Sequence, residues 1–142
     1  MATLIRILHV AVAAAWFGHK LLIPADIGAS LGSQQAAESL IERLQRAEPL
    51  GIATGLGTLG TGLALVFAIG PRTVSVGIYV GLALVIVAIA VGAAVARPAS
   101  VALQDAVAKG DLSSARAAAG RLTIVLWTES TLWSGALVTM LF

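Results

Sequence analysis

The stretch LIRILHVAVAAAWFGHKLLI, Leu4 to Ile23, decides the fold. As a helix rising ~1.5 Å per residue it is long enough to cross a hydrocarbon layer ~30 Å thick, and most of it is apolar. Arg6, His9, Trp16 and Lys20 interrupt it at helical intervals, so their side chains share one narrow stripe. Polar and ionisable groups are costly inside a bilayer, so such a stripe faces protein, a cavity or a cofactor rather than lipid.

Composition places the rest of the chain in the same class. Of 142 residues, 58% are hydrophobic and only 11% charged, and the mean hydropathy is +0.96. That is too apolar for an ordinary soluble domain of this length, and it describes a single integral membrane domain spanning residues 1–142. The formal net charge is only +2, and no basic block supports nucleic-acid binding. Cysteine is absent, which removes disulfides, thiolate metal sites and a cysteine nucleophile. The two methionines and the lack of a histidine-rich tract argue against copper handling.

Four apolar runs follow one another: Leu4 to Ile23, Leu50 to Ile69, Val76 to Ala96 and Leu122 to Leu141. The predicted architecture is all-α, a membrane four-helix bundle of two helical hairpins. Pro24, Pro49, Gly70-Pro71 and Pro98 read as punctuation at the ends of the spans. The first run reads as a mature helix, because it lacks the uninterrupted apolar core and small-residue cleavage site of a signal peptide. Lys20, Arg43, Arg46, Arg97, Lys109, Arg116 and Arg121 lie in or beside the two longer loops, whereas Arg6 and Arg72 are on the other side. The positive-inside rule then makes the longer loops cytoplasmic and both termini external. The loops themselves read as helical. Ser33 can cap a helix to about Ala47 with Ala37, Leu40, Ile41 and Leu44 on one face, and Ala99 to Lys109 extends the third span or forms a short helix before Gly110-Asp111. Each half therefore repeats the plan of span, helical loop and span.

Gly55-Leu56-Gly57-Thr58-Leu59-Gly60 fits the glycine pattern of dinucleotide-binding turns, yet it lies inside an apolar span rather than between a strand and a helix. Gly51, Gly55, Thr58 and Gly62 are better read as a small-residue face that lets another helix approach, with the threonines bonding back to their own helix or across. In the fourth run, Glu129 lies ~12 Å beyond Arg121 along the helix, between Trp127 and Trp133. It is deep enough to approach His9 or His19. Alternatively it is protonated, or pairs with a tryptophan N–H, a threonine or Arg6, and fixes helix register. His9 can be a hydrogen-bonded core residue, a proton carrier, or a ligand to haem iron or another metal. His9 and His19 lie ~15 Å apart on one helix, so the two cannot ligate one iron within a monomer. His19 and Lys20 read as interface residues snorkelling to headgroups, and Arg6 and Lys20 as anchors for lipid phosphates or for propionates at opposite faces.

The segment LHVAVAAAWFGHKLLIP, Leu8 to Pro24, resembles the opening helix of HemJ-type protoporphyrinogen oxidases and of related CopD-like membrane proteins. His9, Trp16, Gly18 and Pro24 match that pattern in order and spacing. A looser match continues through Arg46-Ala47-Glu48-Pro49 to Gly62. The resemblance implies a small integral protein of a bacterial inner membrane, with haem b bound through His9. Trp16 would pack on the cofactor edge, and Arg6 or Glu129 would tune its charge. The oxidases also use a lysine in the third helix, whereas Val76 to Ala96 carries no ionisable side chain except Tyr79. Oxidase activity is therefore the weakest expectation. The leading one is a haem-, tetrapyrrole- or metal-binding bundle. Its rival is a non-catalytic accessory subunit that joins a larger membrane complex, or a second copy of itself, through its glycine and threonine faces.

Overall fold

The computed structural model describes residues 2–140, and all its regular structure is helical. Four long helices follow in order: α1 (Ala2–Ser30), α2 (Gln34–Ile69), α3 (Val76–Ala108) and α4 (Leu112–Thr139). A single 3-10 turn, Pro71–Thr73, lies between α2 and α3, and one π-helical turn, Gly92–Ala96, interrupts α3. The end of the expected fourth span, Leu141, lies outside the described residues.

The helices are longer than the apolar runs that predict them. At ~1.5 Å per residue they extend roughly 42 to 54 Å, well beyond the thickness of a hydrocarbon core. The prolines expected to end them lie inside: Pro24 in α1, Pro49 in α2 and Pro98 in α3. An internal proline loses one backbone hydrogen bond and crowds the carbonyl four residues earlier, so something must compensate. For Pro98 a π-helical turn stands just upstream, where the Arg97 N–H donates to the Gly92 carbonyl five residues back and loosens the ladder. The expected separate helix after Ser33 is the first third of α2, with the Ser33 hydroxyl accepting from the Ala36 N–H at 3.3 Å.

Tertiary packing holds these extensions. Ile27 of α1, Ala37 and Leu40 of α2, Leu103 and Val107 of α3, and Ala115, Ala119 and Leu122 of α4 close one apolar core at the end that carries the two α–α turns. Ile41 and Leu44 pack partly against it, so the apolar face expected on that segment rests on the bundle. Gly110 (φ 70°) reverses the chain after α3 in a left-handed conformation that suits glycine. Asp111 then caps α4, accepting from the Ser114 hydroxyl at 2.6 Å and the Ser114 N–H at 3.0 Å. Those bonds hold its carboxyl below the ordinary carboxylate range. The stabilisation they bring is present above the unfolded carboxyl's pKa and fades as pH falls through the folded one.

Among the described residues three helices, α1, α2 and α3, are long and apolar enough to cross a membrane, and α4 is not one of them. The reason lies in its sequence, where Arg116, Arg121, Glu129 and several hydroxyls dilute the apolar residues. This least lipid-like helix is the most enclosed. Its buried residues recur every three or four positions from Ala115 to Ala136, and it packs against α3 on one side and α1 on the other. α2 packs along α1.

If the extensions are core rather than loop, Leu40→Ala and Leu103→Ala should each cost about 2–5 kcal/mol, both being fully buried. Leu22→Ala, at a side chain 73% exposed, should cost far less. Thermal unfolding in detergent checks this, and equal losses at all three sites would refute it.

Candidate functional site

α1 presents two adjoining faces, and the polar stripe straddles them. Towards α2, the side chains of His9, Val12, Trp16 and His19 rest where glycines leave space. A Cβ at Gly62 would lie 3.1 Å from His9 Cε1, one at Gly57 3.0 Å from Val12, one at Gly55 3.3 Å from Trp16, and one at Gly51 3.5 Å from His19. As α1 residue numbers rise, those on α2 fall, so the two helices run antiparallel with rings seated on a glycine surface. The glycine pattern thus serves packing, as its place in an apolar span predicts. Thr54, Thr58 and Thr61 donate back to the carbonyls of Leu50, Thr54 and Gly57 at 2.7, 2.8 and 2.7 Å, which leaves their oxygens free to accept.

His9 uses one of them. Its Nδ1 lies 2.9 Å from Thr61 Oγ1. Because the Thr61 hydrogen is engaged by the Gly57 carbonyl, the bond needs a proton on Nδ1, which donates to Thr61. The neutral ring then carries its lone pair on Nε2. This is the tautomer of a histidine ligand whose second nitrogen is oriented by a hydrogen bond.

On the other face, α1 meets α4. Trp16 and Trp133 form an edge-to-face pair, with ring centroids 4.6 Å apart and planes at 72°. Such a contact contributes ~0.5–1.5 kcal/mol beyond the area it buries. One turn along each helix, in opposite directions, the Lys20 ammonium donates to Glu129 Oε2 at 2.6 Å. Glu129 is 5% exposed, so a cation opposite it is what makes an ionised carboxylate tolerable there. α3 completes the enclosure with Gly92, where a Cβ would stand 2.5 Å from Glu129 Oε1. Gly92 also opens the π-helical turn. Trp16, Phe17, Lys20, Glu129 and Trp133 line a small cavity offering about 10 Å³ to the centre of a water molecule.

Three expectations change here. Lys20 is no free headgroup anchor: its side chain is only 23% exposed and turns inward to Glu129. Glu129 pairs with neither a histidine, a tryptophan N–H, a threonine nor Arg6; a lysine on the facing helix takes its Oε2. His9 and Glu129 do not share an interior. His9 lies eleven residues, or ~16 Å along α1, from Lys20. Arg6 is exposed, and Trp16 touches Gly55 and Trp133. A second cleft, between α1 and α2, is lined by His19, Asp26 and Arg43 among others. The Arg43 guanidinium already donates to the Asp26 carboxylate there at 2.8 and 3.0 Å.

Sequence reasoning missed the Lys20–Glu129 pair and Gly92. The first had a signal. Trp16 and Lys20 are four residues apart, as are Glu129 and Trp133, in the reversed order that two antiparallel helices need. No family model, curated protein or solved structure matches the chain.

Gly92→Ala should cost about 1–3 kcal/mol, because the carboxylate it strikes is held by Lys20. Gly60→Ala has open space and a better helix former, and should be neutral or stabilising. Equal stability of the two variants in detergent unfolding would show that the carboxylate is free to move aside.

Proposed function

We propose that this is a membrane protein whose four helices all cross the bilayer, with the two basic loops in the cytoplasm, and that His9 binds the iron of haem b or a related metallated tetrapyrrole. The observation that carries the reading is the His9–Thr61 bond, which orients the ring and leaves Nε2 as the donor. Among the described residues no three His, Asp or Glu side chains gather as they would around a bare ion. A tetrapyrrole supplies four nitrogens of its own, so a single histidine suffices. The donor set therefore fits a tetrapyrrole better than a free metal ion.

In this reading His9 would hold the iron, Thr61 would fix the tautomer of its ring, and Gly62 leaves room for the imidazole. Arg6, exposed near the same end of α1, would meet a propionate. Trp16 and Glu129 act at one remove, by setting the seam between α1 and α4. Haem iron brings one-electron or ligand-binding chemistry to the site when bound. The resemblance of the first helix to CopD-like and HemJ-type proteins supports the same choice of ligand, while the lack of a third-helix lysine argues against porphyrinogen oxidation.

Protein expressed with haem precursor and purified in detergent should show a Soret band. His9→Ala should abolish it, Thr61→Val should weaken or shift it, and His19→Ala should leave it intact. Absence of the band in wild-type protein would overturn the assignment. Stoichiometric co-purification of another membrane protein would then favour the accessory-subunit reading.

A further inference from the structure

Two polar atoms in the enclosed seam between α1 and α4 have no hydrogen-bond partner among the described residues: Glu129 Oε1 and Trp133 Nε1. Both residues are 5% exposed. One atom is an acceptor and the other can only donate, so they cannot be two ends of a missing contact with one further acceptor or one further donor. Leaving either unsatisfied at this depth is costly. Both residues line the cavity that they share with Trp16, Phe17 and Lys20, and its ~10 Å³ is about the space one water centre needs. A water molecule has the required complementarity, since it accepts from the indole N–H and donates to the carboxylate.

We infer that Lys20, Glu129 and Trp133 form a water-holding proton-exchange site inside the bundle. The water accepts from Trp133 Nε1 and donates to Glu129 Oε1, while Lys20 holds Oε2. An excess proton reaching the cavity sits on this water as hydronium and transfers to Oε1. One O–H bond of the hydronium breaks, one O–H bond to Oε1 forms, and the water remains. The carboxyl is then neutral and its hold on Lys20 weakens, which loosens the α1–α4 contact. Loss of the proton to the water restores the pair. The charged group facing Glu129 from α1 is Lys20, and α3 contributes Gly92 from a stretch, Val76 to Ala96, with no acidic or basic side chain. Gly92 has a reason in this scheme, because any side chain there would occupy the space beside Oε1. The site lies apart from His9 and does not depend on a cofactor.

Infrared difference spectroscopy of the full chain in lipid vesicles, stepped from neutral to acidic pH, reads the carboxyl directly. A protonated-carboxyl C=O band should grow as pH falls. The other six acidic side chains add carboxyl C=O bands of their own in acid, so the Glu129 component is the part of the wild-type signal that is missing from Glu129→Gln, and it should move to lower frequency in D2O. Trp133→Phe keeps the carboxyl and its lysine but removes the donor to the water, so it should shift the band's frequency. It carries the test on its own if Glu129→Gln does not fold. A carboxyl signal identical in wild type and Glu129→Gln, or a Glu129 component that fails to move in D2O or keeps its frequency in Trp133→Phe, would overturn the proposal.

Discussion

A carboxylate buried in an apolar bundle has to be answered by a positive charge, and the structure around α4 follows from that requirement. Glu129 lies on the most enclosed helix, and Lys20 of α1 supplies the answer at 2.6 Å. A pair of this kind contributes little net stability, because desolvating both ions offsets most of their attraction. Its effect is on arrangement: only a register that places Lys20 opposite Glu129 avoids an unanswered charge. The tryptophan pair one turn away fits the same register, and Gly92 lets α3 close over the carboxylate.

α1 therefore serves two neighbours by different means. Its contact with α4 is specified by charge and aromatic edges, whereas its contact with α2 is shaped by glycines that receive rings. These two surfaces separate the polar residues of the first helix into two centres. His9, with Thr61, belongs to the glycine seam near the chain termini, and Lys20 belongs to the charged seam deeper along the helix. The two centres lie eleven residues, or ~16 Å, apart along α1.

Much of the architecture was legible in the residues. Apolar runs identify the helices, and the context of Gly55 to Gly60 identifies a packing face. Helix ends were not legible, because Pro24, Pro49 and Pro98 signal termination locally while the core around Ile27, Leu40, Leu103 and Leu122 carries the helices past them. The fourth helix reads as a span by length, yet its charges and hydroxyls mark it as the helix that packs most closely, between α1 and α3. Lys20 reads as an anchor when its own helix is considered alone. Its partner is 109 residues away, and only the matching four-residue steps in α1 and α4 hint at the pairing.

A double-mutant cycle on this pair is the most direct test, with unfolding followed in one detergent. Lys20→Met strands a buried carboxylate and should cost about 3–5 kcal/mol, while Glu129→Gln leaves a partly exposed lysine and should cost less. The double variant should be more stable than Lys20→Met alone, with a coupling of about 1–3 kcal/mol. Losses that simply add would contradict a structure organised around the ion pair.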